Sequence, residues 1–226
     1  MKVSDAANSR ITCRAFTDKP VSLQQVKQLL EVAKQAPSGG NLQPWEVFAF
    51  TGKKLKAIID DIESKLDEKP MGEKGEYDVY PPSLWEPYRT RRFKNGEDLY
   101  ACINVGREDK EGRRKQFVRN FRFFDAPVGL FIYIDKGMGP PQWSDIGMFL
   151  QTLMLYAREM GLDTCAQEAW AMWHSIIAKH VQPAENLMLF CGLGIGYIDD
   201  TFPINSLRTD RVKVDDFTKF YGFKNN

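Results

Sequence analysis

With 226 residues, 43% of them hydrophobic and 27% charged, the chain can bury one substantial core and does not have the composition of a disordered, collagen-like or coiled-coil protein. Its 31 basic and 30 acidic side chains leave a formal charge of +1, which provides no global attraction to nucleic acid or anionic lipid. Residues 1–10 hold no apolar signal core, and the strongest apolar run, 128–134, is about a third of the roughly 20 residues a membrane helix needs, so a cytoplasmic protein with a small partner and no membrane contact is expected.

In chain order, residues 22–36 place Leu23, Val26, Leu29, Leu30 and Ala33 at helical spacing, with Ser22 and Gln25 as a capping box and Pro37 as the stop. Residues 45–51 alternate and are rich in aromatic and β-branched side chains, which predicts a strand ending at Thr51-Gly52. A second amphipathic helix is expected over residues 53–66, on Leu55, Ile58, Ile59, Ile62 and Leu66. From 67 to 112 the periodicity dissolves into glycines, prolines and charges carrying Tyr77, Tyr80, Trp85, Tyr88, Phe93 and Tyr100. An excursion this long inside a compact domain reads as a lid or a partner-wrapping segment. Residues 128–134 read as a buried strand and 144–160 as a long, nearly all-apolar helix closed by Gly161. A helix over 169–179, a strand over 187–193 and a polar tail follow. This order, with few strands among many helices and no linker or repeat, predicts a single α+β domain over 1–226 with a sheet layered by helices.

The side chains are poorly equipped for catalysis of their own. Cys13, Cys102, Cys165 and Cys191 form no CxxC pair, and His174 and His180 lack the i, i+4 spacing of a helical zinc site, so no metal is expected. No P-loop, GxSxG or GxGxxG occurs, and the GxGxG of residues 192–196 follows a strand and opens no helix.

Three segments carry groups suited to a flat, anionic ligand. In Arg10-Ile11-Thr12-Cys13-Arg14 two arginines and a hydroxyl alternate, so all three can converge on one phosphate or simply face solvent. In the turn APSGGNLQPW, residues 36–45, two glycines let the backbone approach a ligand while Ser38, Asn41 and Gln43 offer polar contacts to a ring edge. The tail stretch from Asn205 to Arg211 adds Arg208 and Arg211 as a second cationic cluster.

Taken together, these segments resemble the FMN-dependent nitroreductase family, in its order and at its spacing over nearly the whole chain, with Thr12 standing where serine is usual. The Tyr80-Pro81-Pro82 excursion, residues 120–127 and Gln142-Trp143 resemble the branch that reduces nitrobenzenes, nitrobenzoates and dinitroanilines. The resemblance implies a mostly antiparallel central sheet, an interleaved homodimer and two FMN molecules at its interface. It also implies Arg10, Thr12, Arg14, Arg208 and Arg211 around the FMN phosphate and ribityl chain. Ser38, Gly39, Asn41 and Gln43 would come from the partner subunit, and Asn120 and Gln142 would reach the ribityl chain or ring edge. By the same resemblance, residues 167–169 align roughly with the segment whose backbone N–H would face the flavin N5, without a fixed register. Tyr80, Trp85 and Tyr88 are the candidate substrate cover.

The implied activity is NADH- or NADPH-dependent reduction of nitroaromatics through nitroso to hydroxylamino products by a ping-pong scheme, the flavin rather than a side chain carrying the hydride. Flavin reductase, enone reductase and reductive dehalogenase are the alternatives on the same scaffold. A non-enzyme reading rests on the basic, aromatic runs 89–94 and 113–117, which could contact nucleic acid; neighbouring acids favour solvated charges instead, so no nucleic-acid partner is expected.

Overall fold

A computed structural model describes residues 1–224. Where one apolar face had to be buried, the expected elements form. The predicted capping box starts α2 (Leu23–Ala33): Ser22 Oγ accepts the Gln25 N–H at 3.2 Å and Gln25 Oε1 accepts the Ser22 N–H at 2.9 Å. A short α1 (Val3–Ser9) precedes it, with only Ala6 buried. Strand β1 (Glu46–Thr51) leads into α3 (Gly52–Glu63), which buries Leu55, Ile58 and Ile62. Leu66 is buried just beyond its end. Strand β2 (Val128–Asp135) is almost wholly buried.

Several boundaries differ from the sequence reading for identifiable reasons. The excursion contains α4 (Tyr88–Ala101) and the start of α5 (Lys110–Val118), two helices whose only buried residue is Gln116. The long apolar helix, α6 (Pro140–Glu159), begins four residues early because Pro140 and Pro141 occupy its first turn, where no intrahelical N–H is required. Gly161, at φ +70°, closes it. An unanticipated strand, β3 (Asp163–Gln167), follows. The helix expected over 169–179 is two pieces, a 3₁₀ segment Glu168–Trp173 that drives Trp170 and Trp173 into the core, then α7 (His174–Val181). Strand β4 (Leu187–Gly196) continues through the glycine-rich stretch, and a short α8 (Val214–Phe217) lies in the tail.

The sheet order is β1-β2-β4-β3 with every pair antiparallel. Leu130, Ile132, Ile134, Leu193 and Ile195 face the layer of α2 and α6. Phe131, Tyr133 and Leu189 face the other layer, made of α3, α7 and the aromatic 3₁₀ segments. A register shift opposite Ile132 and Tyr133 leaves Phe190 as the extra residue of β4. Tyr77, at the start of the excursion, donates its hydroxyl to the Phe190 carbonyl and stacks on the Phe190 ring at 5.9 Å.

The glycines of β4 serve the second layer. At Gly192 an added Cβ would fall inside the Trp170 indole, and at Gly194 it would meet Phe123 and Ala126 at 3.3–3.4 Å. Gly129 across the sheet similarly admits the Phe123 ring. Phe123 stacks on Trp170 at 4.1 Å, and Trp170 meets Phe131 edge-on at 5.3 Å. To aim these rings inward, Phe123, Phe124 and Asp125 adopt φ of 50°, 53° and 69°, a costly run for non-glycine residues. Burial of Phe121, Phe123 and Phe124 offsets that cost, and the Asp125 carboxylate accepts from Arg119 at 3.1 Å and Arg122 at 3.2 Å.

Because the indole occupies the place of the missing Cβ, Gly192→Ala should destabilise the protein by about 1–3 kcal/mol through overpacking, read from a denaturant titration. A loss smaller than about 0.5 kcal/mol would show that the ring does not need the glycine.

Candidate functional site

Three chain segments meet at the free edge of β3. Thr12 forms a parallel bridge with Thr164, and the Cys13 N–H donates to the Thr164 carbonyl at 3.0 Å. The 10–14 segment is therefore extended there, and Arg10, Thr12 and Arg14 line one cleft. Asn205, buried in the tail, holds the register. Its Oδ1 accepts the Arg14 N–H at 2.8 Å, and its Nδ2 donates to the Ala15 carbonyl at 2.9 Å and the Asp199 carbonyl at 2.7 Å. The tail is thereby folded back so that Arg208 and Arg211 join the same cleft, of about 500 Å³.

The electrostatics of this cleft are one-sided. Arg208 Nη1 donates to the Asn205 and Leu207 carbonyls at 2.9 and 3.0 Å, and Arg211 Nη1 to Thr209 Oγ1 at 2.6 Å, which positions the guanidiniums without neutralising them. Acids beside them are committed elsewhere: Asp210 to Lys94 at 2.9 Å, Asp163 to Arg158 at 2.6 Å. Among the described residues no ion pair within 4.0 Å engages Arg10, Arg14, Arg208 or Arg211. Burial and then the nearby Arg211 charge push Arg10 below the usual guanidinium range. A cluster of like charges, held by neutral carbonyls, is the environment of an anion site.

Thr12 and Arg14 also border a second cleft of about 400 Å³, which continues from the first along residues 165–169. Cys165, Ala166, Gln167, Glu168 and Ala169 form its floor, while Met71, Tyr80, Arg92, Phe117 and Met172 stand around it. The register of 165–169 was not legible from the sequence; here the stretch is the end of β3 running into the 3₁₀ segment. Burial holds the Cys165 thiol neutral, its pKa pushed up to about 12 against the smaller opposing pull of Arg14 and Arg10. No thiolate therefore offsets the arginines across the physiological range.

The other expected site residues fall in two places. Asn120 lines the second cleft, but its amide is engaged: Nδ2 donates to the Phe117 carbonyl at 2.8 Å and Oδ1 accepts from Gln167 Nε2 at 3.2 Å. Ser38, Gly39, Asn41, Gln43 and Gln142 are not among the residues lining either cleft. They lie with the first turns of α6. Gly39 donates its N–H to the buried Asp145 carboxylate at 3.2 Å, Ser38 Oγ accepts the Gln43 N–H at 3.0 Å, and Gln142 caps α6 by accepting the Gly139 N–H at 3.2 Å. Left-handed φ of 58°, 58° and 50° at Gly40, Asn41 and Gln43 expose this turn.

Tyr80 is on the wall of the second cleft. Trp85 and Tyr88, packed edge-on at 5.6 Å, are not on it, and they stand 60% and 49% exposed. The sequence reading did not single out Asn95, which borders the first cleft from α4, or Met71, Phe117 and Met172. They lie in segments without apolar periodicity or are core-type residues, and only the packing brings them together. In the two basic runs, ion pairs join Arg89 to Glu86 at 2.8 Å, Lys94 to Asp98 at 2.6 Å, Arg113 to Glu97 at 3.0 Å, Arg114 to Asp67 at 3.0 Å and Lys115 to Glu111 at 2.7 Å. No described helix is long and apolar enough to cross a membrane, and no cluster of potential metal ligands occurs among the described residues.

The model of a family described as Nitroreductase family matches residues 7–197. A chloronitrobenzene nitroreductase of Comamonas testosteroni is 36% identical over 218 residues, 96% of each chain. A 4-nitrobenzoate reductase of Pseudomonas putida is 36% identical over 95% of this chain and 93% of its own. Among solved structures, an FMN and NADPH-dependent nitroreductase, NfnB, of Sphigopyxis sp. strain HMH superposes with a TM-score of 0.95 at 42% identity, covering 99% of this chain and 100% of the other.

The thiols test the packing of the cleft floor. Cys13, Cys165 and Cys191 are buried and Cys102 is half-buried. In the native protein at mildly alkaline pH, a disulfide reagent should modify Cys102 alone, and all four thiols in denaturant. Rapid native modification of Cys165 would contradict a closed floor.

Proposed function

Because the chain belongs to the Nitroreductase family, we propose that it is an FMN-dependent NAD(P)H:nitroarene oxidoreductase acting as a homodimer. The observation that carries this reading is the arginine-lined cleft, whose guanidiniums have no carboxylate partner among the described residues, opening into a second cleft floored by residues 165–169. One end suits a phosphate and the other a flat ring. FMN, once bound there, supplies paired-electron transfer from NADH or NADPH to a nitro group, giving nitroso and then hydroxylamino products.

The chain's own groups bind and orient. Arg10, Thr12, Arg14, Arg208 and Arg211 grip the phosphate and ribityl chain, and Asn205 keeps the two arginine-bearing segments in register. The backbone of residues 167–169, where Gln167 donates to Asn120 by two hydrogen bonds, would support the ring. Cys165 stays neutral below them, so no thiolate offsets the arginines.

Ser38, Gly39, Asn41 and Gln43 approach the ring from the partner subunit, anchored through Asp145 on the helix that Gln142 caps. A homodimer is supported by this separation of the two residue sets and by the apolar surface shown to water: Tyr80, Trp85, Phe93, Phe217, Phe220 and Phe223 are each more than half exposed. Tyr80 gives the acceptor a stacking wall, and Trp85 and Tyr88 complete the cover against the partner. The chain acts as one domain over 1–226, with the excursion at 67–112 closing the site. Unpaired thiols and a pyridine-nucleotide donor support a cytoplasmic setting.

Arg14→Ala and Arg211→Ala should each remove a charge-assisted contact worth about 1.5–3 kcal/mol, which weakens FMN binding roughly ten- to a hundredfold in a flavin-fluorescence titration. Wild-type affinity in both variants would move the phosphate out of this cleft and overturn the proposal.

A further inference from the structure

The tail that brings Arg208 and Arg211 to the anion cleft also carries an acid between them, Asp210. Arg211 Nη1 folds back to donate to the Asp210 carbonyl at 2.8 Å, so this guanidinium lies against the backbone of its acidic neighbour. A free carboxylate there would compete with any bound anion for the same N–H groups. Lys94 of α4 holds it instead. Its Nζ reaches Asp210 Oδ2 at 2.9 Å and Asp98 Oδ2, one turn along α4, at 2.6 Å. The three side chains border a groove of about 350 Å³ between α4 and the tail, which Arg211 and Asn95 also line. Arg91 on this groove engages no carboxylate within 4.0 Å among the described residues, but it stands on α4, whereas Arg211 is joined to Asp210 by the backbone itself. Lys94 is not among the residues lining the anion cleft, so any effect it has there passes through Asp210.

Helix α4 buries no residue, so its position beside the tail depends on surface contacts of this kind. Asn95, the residue after Lys94, borders the anion cleft, so the contact that withholds Asp210 also seats that corner of α4. We propose that Lys94 is a positioning residue for the anion cleft: by keeping the Asp210 carboxylate against α4, it leaves Arg211 free for a phosphate. An exposed ion pair adds little to stability, but here it decides which charge the ligand meets. The inference rests on the preceding functional reading, in which the FMN phosphate is that anion, and it concerns side chains that reading does not use.

The test is serial dilution of the purified holoenzyme, with released flavin read by its fluorescence. Lys94→Ala should raise the FMN dissociation constant about three- to tenfold, less than outright loss of a phosphate-binding arginine. Asp210→Asn should return Lys94→Ala to within about twofold of wild type, and in the wild-type background it should change affinity by less than about twofold, because the acid is already withheld. A lysine acting through its own long-range charge would instead give additive effects, with Asp210→Asn tightening binding equally in both backgrounds. Protein reloaded with riboflavin, which lacks the phosphate, should hold it equally well with and without Lys94. Lys94→Met, which keeps the apolar stem, gives a second variant should alanine unsettle α4. Undiminished FMN affinity in both variants, additivity in the cycle, or equal weakening of riboflavin would overturn the proposal and leave the phosphate assignment standing. A wild-type protein that holds FMN no more tightly than riboflavin would strike that assignment itself, and with it this inference.

Discussion

Arg10, Arg14, Arg208 and Arg211 repel one another, and among the described residues the fold holds them together without an ion pair to any of them. That constraint shapes much of the architecture. The 10–14 segment is pinned to the outside of β3 by backbone hydrogen bonds, and Asn205 folds the tail back onto it through one accepted and two donated bonds. Arg208 and Arg211 rest on backbone carbonyls and a threonine hydroxyl, contacts that fix direction and leave the charge intact. Such an arrangement lowers the stability of the empty protein and raises its affinity for an anion, and binding the anion restores what was lost.

The position of that cluster depends on the aromatic layer beneath the sheet. Gly129, Gly192 and Gly194 let Phe123 and Trp170 press against the strand backbone, which fixes the 3₁₀ segments on either side: Arg119–Asp125, carrying Asn120, and Glu168–Trp173, carrying the end of the cleft floor. Gln167 connects them by donating to both the backbone and side-chain oxygens of Asn120 at 2.8 and 3.2 Å. The glycine-rich stretch, unsuited in sequence to a dinucleotide fold, is thus explained by ring packing. Any ligand lying on residues 165–169 rests on a floor whose height these rings determine.

How much of this is legible in the sequence follows from what each segment buries. Residues 22–36 and 53–66 show their helices because one face of each meets the sheet, and 128–134 shows its strand because each of its faces meets a hydrophobic layer. The Asp-Thr-Cys-Ala-Gln of β3 has no apolar alternation because Asp163, Thr164 and Gln167 are buried polar residues, and only Cys165 and Ala166 pack against the two hydrophobic layers. Helices α4 and α5 bury only Gln116 between them within the chain, so neither has a stripe to read. The arginines of the anion cleft were readable because alternation along an extended segment puts Arg10, Thr12 and Arg14 on one side. The chemistry of the 36–45 turn was readable too, but its place was not: Asp145, a buried acid more than a hundred residues later, anchors it at the far helix layer.

Within one chain the cation-rich clefts at the β3 edge and the exposed polar turn at α6 are separate. The central claim is that a two-fold dimer joins the turn of one subunit to the cleft of the other. Intersubunit complementation tests it most directly, by refolding together two inactive, FMN-poor proteins, one carrying Arg14→Ala with Arg211→Ala and the other Ser38→Ala with Gln43→Ala. The account predicts that each mixed dimer regains one intact site, with flavin binding and NAD(P)H-dependent nitroarene reduction above either parent. Mixed dimers that form and remain as flavin-poor and inactive as their parents would show that both residue sets serve a site within one chain.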